Sequence, residues 1–143
     1  MFRHLVAILV LPFSFQGVHA QRLLPVGSGV QAGYVNAMLE YNGTLVLGGQ
    51  FVQFQNYPRP FLVGWDGSGF NEMGNAFLSF PVQDMVLYQD DLIVVGKDAD
   101  LGNIGRWDGT EWTSLGTGIP DEFARSLSIM NDELHVLGSS NTV

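Results

Sequence analysis

Three stretches of this chain can be laid over one another, and a chain that repeats at a fixed spacing builds its core by stacking like units. Residues 35–49, 82–96 and 124–138 each run through an apolar segment, a polar turn, a second apolar segment and a closing glycine. A second block recurs beside the first: residues 65–74 and 107–116 both open Trp-Asp-Gly and close on a glycine, Gly74 and Gly116. The tail of that block stands once more at residues 24–29, ending in Val26-Gly27-Ser28-Gly29. Independent anchors share one spacing. Gly27 and Gly74 lie 47 apart, as do Leu45 and Leu92, while Gly74 and Gly116 lie 42 apart, as do Leu92 and Leu134. The difference has one location, because Gly49 and Trp65 are 16 apart whereas Gly96 and Trp107 are 11 apart. One connecting loop changes length while the elements around it keep register.

Each unit reads as four short strands. In the first, residues 35–41 and 44–51 flank Asn42-Gly43, a pair that tolerates the positive φ of a tight hairpin. Residues 60–65 and 70–73 supply the third and fourth strands around Asp66-Gly67-Ser68-Gly69. The second unit repeats the pattern, with Gln89-Asp90-Asp91 and Asp108-Gly109 at its turns. Apolar and aromatic residues fill the strands while Gly, Asp and Asn punctuate them, and no segment past residue 20 carries a helical period.

A four-stranded unit of about 40 to 50 residues is the size of a propeller blade, which buries both faces only against neighbours. The expected fold is therefore all-β: a partial β-propeller of four-stranded antiparallel blades, preceded by a signal-peptide helix. The expected boundaries are a signal peptide over 1–20, a lone closing strand and link over 21–34, blades over 35–76 and 77–118, and a truncated blade over 119–143. Remaining blades are expected beyond Val143. A β-sandwich is the structural competitor.

The N-terminus reads as an export signal. Arg3 and His4 make a short positive region, residues 5–15 are largely apolar, and Val18-His19-Ala20 places small residues where a signal peptidase reads. The apolar run falls short of the roughly 20 residues of a spanning helix, and a buried core helix fits the position and flanks less well. Cleavage after Ala20 is expected, giving a secreted or cell-surface protein with no membrane insertion after cleavage. The formal charge of −8 and the single lysine, Lys97, disfavour nucleic acid and anionic membranes. With no cysteine, and with His135 the only histidine past residue 20, a thiolate nucleophile and a multi-histidine metal site are both excluded.

The motif Asn42-Gly43, Leu45, Gly48-Gly49, Phe51 followed by Trp65-Asp66-Gly67, and its fuller copy Asn103-Ile104-Gly105-Arg106-Trp107-Asp108-Gly109 through Trp112 and Leu115-Gly116-Thr117-Gly118, resembles a known repeat. It is similar to the kelch-like β-propeller repeats of secreted bacterial surface proteins, and to repeats of the fungal cortical-marker family. The resemblance covers residues 24–139 and implies the propeller fold; such propellers host many roles. Phe70 replaces the second tryptophan in the first copy, and the second copy keeps one glycine of the pair, Val95-Gly96.

Candidate sites divide between chemistry and architecture. Trp65, Trp107 and Trp112 could stack on sugars, but their recurrence at one place in the repeat marks packing residues. Asp66 and Asp108 fit turn aspartates bonding their own backbone better than cation ligands. The segment Asp98-Ala99-Asp100-Leu101-Gly102-Asn103 is the most calcium-like, yet Gly109 stands where an EF-hand loop ends on an acid, so no metal site is expected. Asn42-Gly43-Thr44 is a formal glycosylation sequon that its turn role already explains. The longer loop carries Phe54, Tyr57 and Arg59, an aromatic and arginine-bearing set suited to partner contact, and these three are the candidate binding residues. No serine, histidine and carboxylate arrangement emerges, and no cofactor is expected. The resulting expectation is an exported non-catalytic propeller that binds a protein or glycan or serves as a structural module. The alternative is the N-terminal part of a propeller-type enzyme (glycoside hydrolase, lyase or oxidase) with its active site in further blades.

Overall fold

A computed structural model describes residues 26, 32–54, 57–58, 61–74, 80–97, 100–119 and 122–140. The signal-peptide helix and its cleavage point lie outside the described residues, as does the lone strand of residues 24–29 except for Val26, which is in no strand. Every regular element among the described residues is a β-strand. In chain order these are β1 (Ala32–Tyr41), β2 (Thr44–Phe54), β3 (Tyr57–Pro58), β4 (Leu62–Trp65), β5 (Phe70–Asn71), β6 (Val82–Tyr88), β7 (Asp91–Gly96), β8 (Ile104–Trp107), β9 (Trp112–Ser114), β10 (Glu122–Met130) and β11 (Glu133–Ser140). They form three antiparallel sheets: β1-β2-β4-β5 with β3 appended to β2, then β6-β7-β8-β9, then β10-β11. The two complete sheets are the two four-stranded units of the repeat.

Each unit opens with the same hairpin. Its two turn residues both take positive φ: Asn42 and Gly43, Gln89 and Asp90, Asn131 and Asp132. Positive φ at both positions matches the right-handed twist of the flanking strands. Two of these turns therefore hold the shape without glycine.

The other end of each hairpin is also shared, and it explains the closing glycine. Register slips by one residue between Val35 and Ala37, between Val82 and Asp84, and between Ala124 and Ser126. Asn36, Gln83 and Arg125 are thus the extra residues of three equivalent bulges. Opposite them stand Gly49, Gly96 and Gly138, paired with Val35, Val82 and Ala124. A Cβ at Gly49 or Gly138 would strike the carbonyl oxygen of Tyr34 or Phe123, and at Gly96 it would come within 2.7 Å of that of Pro81. The bulge presses backbone against backbone, and only hydrogen fits between.

Strand alternation then sorts each unit's side chains onto the two faces of its sheet, and in the second unit one row faces the first sheet and the other the third. Leu92 and Val94 of β7 look back into a core with Tyr41, Val46, Leu62 and Trp107, while Ile93 and Val95 look forward into a core with Ile104 and Ala124. The middle sheet is consequently apolar on both faces, and the three sheets stack in series. Each large aliphatic side chain so buried contributes about 1.5–3 kcal/mol. A further cluster, Leu47, Phe51, Val63 and Phe70, lies on the outer face of the first sheet, with Val26 packed against it.

Polar contacts key each sheet to the next at the bulges and turns. Asn36 Nδ2 donates to the Val82 carbonyl at 2.8 Å. One sheet on, Asp84 Oδ2 accepts from Ser126 Oγ at 3.0 Å and from the Leu127 amide at 2.8 Å. Tyr88 reaches across to donate to the Asp132 carbonyl at 3.1 Å. Tyr41, its counterpart 47 residues earlier, is buried toward the second sheet, with Gly109 beside its hydroxyl.

Three substitutions test these constraints by denaturant unfolding. Gly49→Ala is expected to cost about 1–3 kcal/mol through overpacking, whereas Gly69→Ala, with nothing within 4 Å of the added carbon, stays within about 0.5 kcal/mol of wild type. Asp84→Ala removes the acceptor of the Leu127 amide and should cost about 1–3 kcal/mol. Hydrogen exchange at Leu127 should rise selectively over that at Ile93; equal acceleration at both would mean that Asp84 does not hold the third sheet.

Candidate functional site

The longer loop of the first unit is built as an extension of β2. Gln53 pairs with Pro58 and Phe54 with Tyr57, so β3 doubles back on the end of β2 before the chain returns as β4. Part of the longer loop thus forms a short β2–β3 hairpin. It brings the backbones of Phe54 and Tyr57 directly opposite one another. Arg59, and the side chains of Phe54 and Tyr57, lie outside the described residues.

The Trp-Asp-Gly blocks are organised by their aspartates. Asp66 Oδ1 accepts from the amides of Ser68 and Gly69 and from Ser68 Oγ, each at 2.8 Å, while Oδ2 accepts from Asn71 Nδ2 at 3.0 Å. Asp108 Oδ1 accepts from the Thr110 amide at 2.8 Å, Thr110 Oγ1 at 2.7 Å and the Glu111 amide at 2.9 Å. These bonds favour the charged form. The Gly69 and Ser68 amides hold Asp66 well below the ordinary carboxylate range, and the Glu111 amide with the Thr110 hydroxyl and amide lowers Asp108 to about 2.

The two tryptophans of the second unit face back toward the first sheet, while Trp65 packs on the outer face of that sheet. Trp107 is buried between the first and second sheets, its ring centroid 5.4 Å from that of Trp112. Trp112 donates Nε1–H to the Met73 carbonyl, just after β5 of the first unit, at 2.8 Å, and Trp65 packs on Phe70 with centroids 4.6 Å apart. In the calcium-like segment, Asp98 lies outside the described residues. Asn103 Nδ2 donates to the Ile119 carbonyl at 2.7 Å, Ser114 Oγ donates to the Leu101 carbonyl at 3.1 Å, and Gly102 lies against Gly118. This loop is braced onto the segment after β9. Among the described residues no group of three or more Asp, Glu or His side chains is placed to hold a metal. His135 sits on the outer face of β11 beside Glu133, 4.0 Å away.

A second cluster escapes sequence reasoning. Phe80 precedes β6, Lys97 follows β7, and Phe123 and Arg125 lie on β10, so the four meet only when two sheets stack. Lys97 Nζ stands 5.0 Å from the Phe123 ring centroid and 5.7 Å from that of Phe80, and Arg125 Cζ stands 5.8 Å from Phe123. The cations are held over aromatic rings. Arg106, by contrast, is paired with Asp91. One signal was available: Lys97 aligns with Gln50 and Ser139, and Arg125 with Asn36 and Gln83, so the repeat itself asks for no cation at either place.

Comparison with protein-family models, curated proteins and solved structures gives no match.

The Asp-Gly turns make a pH prediction. Their folded-state pKa values lie below the unfolded value of 3.8, so their stabilisation is complete above that value. It is lost as pH falls through the folded-state pKa, which for Asp108 is about 2. An Asp66→Ala/Asp108→Ala double variant should unfold at lower denaturant at neutral pH and show a flatter loss of stability between about pH 4 and pH 2. An acid limb of unchanged slope would place that titration elsewhere.

Proposed function

We propose that this chain is part of an exported, non-catalytic β-propeller that binds a protein or a glycan at the cell surface or outside the cell. The observation that carries the reading is the serial stack: three sheets joined face to face by equivalent rows of side chains, as blades are. Equivalent positions differ according to whether a neighbour is present. Val95 is fully buried against the third sheet, whereas Leu137, its counterpart 42 residues on, is 74 % exposed. Met85 is 7 % exposed, and Met38, its counterpart 47 residues earlier, is 59 % exposed. Among the described residues β11 pairs only with β10. An open face and an open edge of this kind support a further unit packing on the third sheet, since exposed strand edges are otherwise liable to pair with other chains.

Export rests on the first twenty residues, and the resemblance to kelch-like repeats of secreted proteins agrees with it. Binding rests on the longer loop that carries Phe54, Tyr57 and Arg59, which exceeds its counterpart in the second unit and is therefore free of the repeat's packing demands.

Two measurements test this reading. Protein exported from a bacterial host should begin at Gln21 by mass spectrometry; material in the medium that retains residues 1–20 would remove the cleaved-signal reading. Glycan-array and pull-down screening should yield a ligand whose binding falls at least about tenfold, roughly 1.4 kcal/mol, in a Phe54→Ala/Tyr57→Ala/Arg59→Ala variant. Turnover of that ligand would sink the non-catalytic claim and favour a propeller-type enzyme.

A further inference from the structure

The cationic cluster at the ends of β6, β7 and β10 is a further candidate for recognition, and its chemistry is specific. In a protein of net charge −8 with 14 acidic residues, neither Lys97 nor Arg125 pairs with a carboxylate among the described residues. Both are exposed. Both converge on one ring, Phe123, which is 37 % exposed, and Lys97 also neighbours Phe80, which is 41 % exposed. The repeat does not require these residues, because the aligned positions carry glutamine, serine and asparagine. The bulge at Arg125 turns that side chain out of the ladder's regular alternation.

We propose that Phe80, Lys97, Phe123 and Arg125 form a docking site for a peptide segment of a protein partner that carries a carboxylate next to an apolar side chain. The inference rests on the reading of this chain as a binding module. Aromatic rings that seat two cations leave those cations partly ordered before binding, which lowers the cost of pairing them with a carboxylate. The exposed edges of Phe80 and Phe123 supply the adjoining apolar contact, and aromatic residues with arginine are the usual anchors of protein interfaces. The overall charge selects the partner class. A dense polyanion such as a uronic-acid polysaccharide is repelled by the acidic remainder of the protein, whereas a segment with one carboxylate among apolar side chains meets that repulsion least.

The test uses the whole chain and a random peptide library. Selected peptides should place Asp or Glu beside Phe, Leu or Met. Their affinity should fall at least about tenfold in Lys97→Gln/Arg125→Gln, weaken with added salt, and survive in the charge-keeping Lys97→Arg/Arg125→Lys. An unchanged thermal midpoint in both double variants confirms that folding is not what is being read. The proposal is overturned if the library yields no carboxylate-dependent binder, or if binding persists in the glutamine variant. Variant-sensitive binding of polygalacturonate would overturn the peptide assignment in favour of an acidic polysaccharide. Ligand binding that persists at the β2–β3 hairpin while Lys97 and Arg125 are silent would remove this site and leave the module reading intact.

Discussion

A sheet with apolar side chains on both faces needs a neighbour on each side, and the rest of this structure follows from that demand. The middle sheet makes it most plainly. Leu92, Ile93, Val94 and Val95 are consecutive and all buried, two facing back and two facing forward. Such a run is stable only between two other layers, since each side chain exposed instead would forfeit about 1.5–3 kcal/mol. The first and third sheets answer it with their own inward rows, Val46 and Leu62 on one side and Leu134 and Val136 on the other.

Stacking at this closeness requires the hairpins to share one shape, and the bulge and its opposed glycine ensure it. The bulge bends the first strand of each unit where it meets the adjoining sheet, and Asn36 and Asp84 make the polar contacts between sheets at that bend. Backbone geometry and inter-sheet recognition are therefore coupled: moving the bulge would displace the donors and acceptors as well as the strand. The same end of β10 carries Phe123 and Arg125, so the residues proposed for recognition stand on a part of the fold that is held on several sides.

Loops are where the units diverge. The β2–β3 extension is inserted without disturbing the pairing of Leu45 with Trp65, which matches that of Leu92 with Trp107. The Asp66 and Asp108 turns, in contrast, are nearly identical in their bonds because both must return a strand to the edge of a four-stranded sheet. Variation is tolerated where backbone groups reach water and suppressed where they lie between layers.

Much of the fold was legible in the residues. The repeat spacing, the Asn42-Gly43 turn and the Trp-Asp-Gly blocks determined four-stranded antiparallel units, because hairpin turns and strand alternation are local properties of the chain. The place of Phe54 and Tyr57 on a longer connection was legible too, though not that they pair across a hairpin. What only the tertiary structure decided depends on which backbone lies against which. The reason for Gly49, Gly96 and Gly138 is a carbonyl that crosses from 15 residues earlier in the sequence. The meeting of Phe80, Lys97, Phe123 and Arg125 joins residues that no local pattern relates. Periodicity dictates which way a side chain points; only the packed layers determine what it meets there.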